Sequence, residues 1–380
     1  MAAEIIPLIQ AFVEITDFRQ ASGKRYPLPA VLALACAAML CGYRSYGAIA
    51  EWGRNYDREL VLALGFAHGK TPCASALHWI FRHLDCAQFE SQLGQWTETV
   101  LQAYPPSAEQ VEGIAIDGKT LRGSQKQGAP GAHLLSALSH RLGITLAQQA
   151  VADKSNELSR IEDLLESLVL KGRIVTLDAL HTQRYVAQNI LDGDGDYVML
   201  VKGNQPNLLA DIRLLFQERQ VVAETLTATE TVDLGHGRIE VRCLTASSAL
   251  ADYLDWPGLQ QVFEIVRTTT SKRTGQVRHE TVYGITSLPP QRADAACLLS
   301  LVRQHWCIEN KSHWVRDVTY DEDRSQVRCG SIPQMMAALR NLVIGLMRTA
   351  GETNIAAACR RFAAQPWAAL ALIGIPARIE

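Results

Sequence analysis

The chain has 380 residues, 48% of them hydrophobic and 20% charged, with a formal net charge of −2. That is ordinary globular composition in a chain longer than one typical domain. It excludes a uniformly basic nucleic-acid coat, so any contact with a polyanion must rest on local patches. Nine cysteines form an odd set without a Cys-x-x-Cys pair. This argues against a zinc ribbon or a disulfide framework and fits a reducing, cytoplasmic setting. Glu4 and the lack of a basic leader argue against a secretory signal. The apolar run from Leu28 to Gly42 contains Pro29 and is too short to span a membrane.

Residues 1–105 read as helical. Ile5, Ile6, Leu8, Ile9, Phe12 and Val13 suit a first amphipathic helix. Pro27 and Pro29 then start a helix over Val31–Leu40. A turn at residues 42–47 leads to Ala48–Trp52. In the stretch from Thr71 to Leu84, Thr71 can cap and Pro72 can occupy the first turn. With the preceding helix it could form a helix-turn-helix that presents Ser75, His78, Arg82 and His83; a plain helical bundle is the alternative. Gln88–Ala103 is a further helix, and Tyr104-Pro105-Pro106-Ser107 marks a boundary.

Beyond it the pattern becomes strand-like. Val111–Thr120 is a short β-branched run containing Asp117-Gly118. His133–His140 and Ile144–Ala152 make a hairpin around Arg141-Leu142-Gly143. Glu157–Leu170 has helical spacing, Arg173–Asp178 is a buried strand ending in a second aspartate, His181–Ile190 is helical and Tyr197–Lys202 is a fifth strand. This β-β-β-α-β-α-β order implies a mixed sheet, three meandering strands followed by parallel crossovers. A helix over Asn207–Gln220 precedes four strands: Glu224–Asp233, Arg238–Ala246, Gln261–Thr270 and Val277–Ile285. The tip of the last hairpin is basic, with Lys272 and Arg273. After Pro289-Pro290 the chain is helical again, including Gln304–Asp317 and Ile332–Thr349. In Gln304–Asp317, Ile308 and Val315 define a buried face, while Glu309, His313 and Arg316 follow i, i+4, i+7 on a neighbouring one.

Asp117 and Asp178 each end a short apolar strand, where clefts form in open sheets. Such carboxylates are costly to bury alone and call for a partner or a cation. Mg²⁺ accepts a few carboxylates plus water and phosphate. Glu309, on a late helix, would complete a two-metal phosphoryl-transfer site. Asp317, Asp321, Glu322 and Asp323 are its rivals for the third position.

The stretches IAIDGKTLRGS, DKSNELSRIEDLLESL, IVTLDALHTQ, YVMLVKGNQPNL and HWCIENKSHWVRDVTYDEDRSQVR resemble insertion-sequence DDE transposases of the H-repeat-associated group. So do the N-terminal stretches RYPLPAVLALACAAMLCGYRSYGAIAEW and TPCASALHWIFRHLD, and the resemblance covers nearly the whole chain. It implies an α/β, RNase H-like mixed sheet with a β-rich insertion, preceded by a helical N-terminal domain. The expected divisions are a transposase-associated domain at 1–105, a catalytic domain at 106–350 with its insertion at about 207–290, and a helical tail at 351–380. The family's Asp–Asp–Glu triad falls on Asp117, Asp178 and Glu309, which would bind Mg²⁺ (or Mn²⁺), two ions in all. The implied activity is cleavage of element ends to leave a 3′-hydroxyl, followed by strand transfer into target DNA. The implied partners are double-stranded DNA and a second copy of the chain on paired ends, with no membrane.

Related transposases carry a tyrosine, an arginine and a basic residue around the catalytic glutamate. Here those places hold Val302, His305 and Arg316, and only the last agrees in charge. Lys119, Arg122, Lys202, Asn204, Lys272, Arg273, His305 and Arg316 are the candidate DNA contacts. A nuclease of the same fold that cannot join strands, and an inactive element-end binder, are the alternative readings.

Overall fold

The computed structural model describes residues 5–107, 111–125, 130–151, 157–220, 223–235 and 237–376. Asp153–Asn156, which open one of the quoted motifs, and Ala152 lie outside them. Two compact units emerge. The first comprises Met1–Glu109, Gly118–Leu168 and Ile308–Glu380, and the second Gln110–Asp117 and Val169–Cys307. The division runs inside one strand, between Asp117 and Gly118.

The strands are β1 (Gly113–Thr120), β2 (His133–Ser139), β3 (Thr145–Val151), β4 (Ile174–Leu177), β5 (Asp196–Val201), β6 (Leu226–Gly235), β7 (Arg238–Ser247), β8 (Gln261–Ser271) and β9 (Val277–Thr286). Among the described residues they are hydrogen-bonded in the order β3-β2-β1-β4-β5-β9-β8-β7-β6. β2 and β3 are antiparallel, whereas β1, β4 and β5 run parallel. Meander, crossover, crossover is the mixed-sheet arrangement expected from the order of elements, and it agrees with the RNase H-like sheet that the resemblance implies. The β-rich insertion continues the same sheet, because β9 pairs antiparallel with β5. Strand periodicity located those four strands but carried no information about which edge they would join.

In the second unit, β4 and most of β5 are buried, as expected of strands with crossovers on both sides. The helix Ala295–His305 lies over them and packs Leu298, Leu299 and Leu301 with Val198, Leu244 and Phe263. The Asp294 carboxylate caps this helix by accepting from the Cys297 N–H at 2.8 Å. Phe263 on β8 faces Gly284 on β9, where a Cβ would sit 2.1 Å from the ring. Glycine there lets the aromatic ring lie flat across the neighbouring strand.

In the first unit, the helix Leu28–Leu40 is buried all round apart from Pro29 and packs on the long helix Ile332–Thr349. A helix hydrophobic on every face belongs at the centre of a bundle. Asp85 caps Cys86–Ala103, Ser45 caps Tyr46–Asn55 and Asp57 caps Arg58–Ala63. The sequence-derived start at Thr71 is corrected: the helix runs Ala74–His83 with Cys73 at its cap position. Thr71 instead packs on Gly53, where a Cβ would meet its hydroxyl at 2.8 Å. Residues 64–73 separate this helix from Arg58–Ala63, more than a three- or four-residue helix-turn-helix connection.

Candidate active site

In the second unit β1 and β4 are parallel neighbours, with Ile116 opposite Leu177. Asp117 and Asp178 follow those partners, but β1 runs on to Thr120, so Asp117 lies within its strand and does not end it as expected, whereas Asp178 directly follows β4. Asp178 is also the cap of a short 3₁₀ turn, Ala179–His181. Its Oδ1 accepts from the Leu180 N–H at 3.1 Å and lies 3.0 Å from the His181 ring Nδ1. Burial alone would raise its pKa, but the His181 hydrogen bond and the charges of His181 and His305 outweigh it. The net shift is downward, and Asp178 stays ionised at neutral pH.

The loop after β5 holds this turn in place. The Asn204 side-chain amide donates to the Ala179 carbonyl at 2.6 Å, and that of Gln205 to the Thr182 carbonyl at 2.9 Å. The Thr182 hydroxyl donates to the Leu200 carbonyl at 2.6 Å. Asn204, expected to meet DNA, therefore spends its amide on the turn that Asp178 caps. His305 is also directed inward: it is buried, and its Nδ1 lies 3.0 Å from the Thr176 hydroxyl beneath β4. It is not placed to grip phosphate from the surface.

The first unit takes over at Gly118. A Cβ there would lie 2.7 Å from His133 Nε2 and 2.8 Å from Glu157 Oε1, two buried side chains in direct polar contact. The glycine after Asp117 is thus a steric requirement of the pair behind it. One residue on, the Lys119 ammonium donates to Asp317 Oδ2 at 2.6 Å and is only 10% exposed. Lys119 accordingly bonds a carboxylate within its own unit.

The stretch read as one helix over Gln304–Asp317 is irregular. Ala295–His305 ends at its cap residue Trp306, Glu309–His313 form a π turn, and Trp314–Val318 resume the α-helix. Single π turns mark functional places in helices. The Glu309 side chain is 51% exposed, and its Oε2 lies 3.6 Å from Nδ1 of the buried His313. Burial lowers the His313 pKa; Arg316 and Lys119 push the same way, while Glu309 opposes them. The ring is therefore neutral at pH 7. A histidine four places after the glutamate was the available signal for this pairing, yet sequence alone gave no reason to join them.

Arg316, which agreed with the family's basic position, is wholly buried. Its Nε donates to Glu322 Oε2 at 2.8 Å, and Arg340 donates to Glu322 Oε1 at 2.9 Å. Burial would raise the Glu322 pKa, but the two guanidinium charges outweigh it and hold the carboxyl below its usual range. Arg316 is an internal cation here, not a surface contact. The same bonds engage the rivals of Glu309: Glu322 in this triad, Asp317 with Lys119, Asp321 with Arg44 and Asp323 with Arg122. Of the remaining candidate contacts, Arg122, Lys202, Lys272 and Arg273 are exposed.

Residues 110–346 match the family model described as "Transposase DDE domain", and residues 9–97 match its associated region, DDE_Tnp_1-associated. The chain is 34% identical to the uncharacterized protein in the dhlA 3′ region of Xanthobacter autotrophicus, covering 75% of this chain and 96% of that one. YncI of Escherichia coli O157:H7 is 29% identical, covering 88% of this chain and 85% of YncI. The H repeat-associated protein YhhI of Escherichia coli (strain K12) is 27% identical, covering 90% and 91%. The cryo-EM structure of the piggyBac transposase synaptic complex with hairpin DNA aligns with 95% of this chain and 76% of that one, at 9% identity and a TM-score of 0.41. With more than half its length inside the matched domain, this chain belongs to the transposase DDE-domain family.

Proposed function

We propose that this member of the family is a DNA transposase of an insertion sequence, cutting element ends and transferring them to target DNA with Asp117, Asp178 and Glu309 as its catalytic carboxylates. The observation that supports the reading is the register of β1 and β4, in which Asp117 and Asp178 each follow one of the paired residues Ile116 and Leu177. Glu309 is supported more indirectly. Asp117 and Lys119 are two apart on one strand and share a face. Lys119 reaches Asp317, on the helical segment that begins with Glu309.

The donor set fits a hard divalent cation. All three groups are carboxylates, Asp178 is held ionised, and the Asp178 and Glu309 side chains are 44% and 51% exposed. These residues would hold Mg²⁺ or Mn²⁺, two ions in the usual arrangement for this chemistry. Bound divalent ions supply Lewis acidity toward the phosphodiester and stabilise the attacking and leaving oxygens. Asp178 caps the 3₁₀ turn and Glu309 opens the π turn, the positions from which they would hold the ions. His313 lies buried beside Glu309, its Nδ1 3.6 Å from Oε2. Double-stranded DNA would be met by the exposed cations Arg122, Lys202, Lys272 and Arg273, and two copies would act on paired ends.

The test is incubation of a DNA bearing the element's own ends with Mg²⁺, followed by gel analysis of cutting and of joining to a plasmid. Wild type should do both, and Asp117→Asn neither. Retained cutting by Asp117→Asn removes that residue from the site. Cutting without joining of a pre-cut 3′-hydroxyl end would make the protein a nuclease.

A further inference from the structure

A run of buried polar side chains crosses the first unit and ends on the π turn. The Ser312 hydroxyl, in the middle of that turn, donates to Asn341 Oδ1 at 3.4 Å. The Asn341 amide donates to Gln148 Oε1 at 2.9 Å. The Gln148 amide donates to Glu90 Oε1 at 2.5 Å, and the Gln334 amide also donates to the Glu90 carboxylate, at 2.8 and 3.0 Å. Ser312, Asn341 and Gln148 are at most 6% exposed. The participants come from four separate pieces of chain: the helix Cys86–Ala103, strand β3, the helix Ile332–Thr349 and the π turn. A cavity of about 30 Å³, room for about one water, adjoins Glu90, Gln148 and Asn341.

The hydrogen bonds share one polarity. Each amide receives on its oxygen and donates from its nitrogen, so every donor points toward Glu90, whose carboxyl oxygens end the chain by accepting from Gln148 and Gln334. Both amide orientations are thereby fixed, and with them the direction in which the Ser312 hydroxyl must point. Apolar residues of similar size would fill the same space with no demand on orientation. A π turn is an uncommon local conformation and needs surrounding structure to hold it. Flanking bonds act in the same place: Lys311 donates to the His140 carbonyl at 2.8 Å and Arg348 to the Lys311 carbonyl at 3.4 Å.

We infer that Glu90, Gln148, Asn341 and Ser312 are positioning residues, a directional hydrogen-bond chain by which the N-terminal helical region fixes the π turn and so aims Glu309. The inference rests on Glu309 being the third catalytic carboxylate. It gives the associated region, residues 9–97, a part in the chemistry separate from any contact with DNA.

The experiment measures single-turnover cleavage of end DNA with Mg²⁺, affinity for the same DNA, melting temperature, and hydrogen exchange of the amides of residues 309–314. Ser312→Ala, Asn341→Leu and Gln148→Met should each slow cleavage about ten-fold or more while affinity stays within about two-fold. Exchange at the π turn should quicken with the melting temperature little changed. Glu90→Leu should behave the same way, and Glu90→Gln, which keeps an acceptor for Gln148, should recover most of the rate. The inference is overturned if Ser312→Ala and Asn341→Leu cleave at the wild-type rate, or if rate, affinity and melting temperature fall together. Should wild type itself fail to cleave, the transposase reading fails instead, and the exchange measurement still decides whether the chain holds the turn.

Discussion

Ile116 and Leu177 face each other in parallel register on β1 and β4, and each is followed by an aspartate, Asp117 within β1 and Asp178 just past the end of β4. Replacing either acid by its amide keeps size and hydrogen-bonding capacity. For Asp178→Asn the amide oxygen can still accept from the Leu180 and His181 N–H groups, so the 3₁₀ turn survives. We expect Asp117→Asn and Asp178→Asn to melt within a few degrees of wild type, yet to lose cleavage by at least about a hundred-fold, roughly 3 kcal/mol of barrier. Thermal melting beside a single-turnover cleavage assay checks both halves of the statement.

Gly118 leaves no room for a side chain. A methyl group would press on His133 and Glu157, whose buried pairing cannot yield without losing its geometry. Gly118→Ala should destabilise the chain by about 1–3 kcal/mol, the usual cost of overpacking. Urea unfolding reads this directly. An unchanged midpoint would show that the pair has slack.

The ion triad makes opposite predictions for stability and for DNA. Glu322→Gln leaves two buried guanidinium groups without their counter-charge and should cost about 3–5 kcal/mol in denaturant unfolding. Arg316 lies wholly inside, so a packing-tolerant replacement, Arg316→Met, should leave the salt dependence of DNA affinity unchanged. Lys272→Ala and Arg273→Ala, at an exposed hairpin tip, should each reduce the slope of log K against log salt by about 1. A reduced slope for Arg316→Met would mean that the guanidinium reaches phosphate after all.

Glu90 ties stability to pH. Burial raises its pKa to about 7, although hydrogen bonds from Gln148 and Gln334 oppose the shift. The folded state therefore holds a proton that the unfolded chain has released. Stability from this group is full below about pH 4.5 and is lost as pH rises through 7, about 3 kcal/mol in all. Glu90→Gln should flatten that part of the profile. Chemical denaturation at pH 5, 6, 7 and 8 checks the sign as well as the size.

Much of the fold was legible because local pattern is enough to locate elements. Alternation and β-branched runs found the strands, and Pro29 marks a helix start because proline is tolerated in the first turn. The errors fell where a neighbour distant in sequence decides. Thr71 yields its cap to packing on Gly53, and the helix around Glu309 is interrupted by a π turn in contact with Asn341. Among the candidate DNA contacts, His305, Lys119 and Arg316 read as surface polar groups, and each is turned to a partner inside its own unit.

The order of strands and helices was determined by the sequence itself, since periodicity and residue chemistry act over a few neighbours; that β1 runs on past Asp117 to Thr120 and that Glu309 opens a π turn was not. Which polar side chains turn inward was decided only by tertiary structure. A buried cation or amide survives only where a remote partner meets it, and no local pattern records that partner.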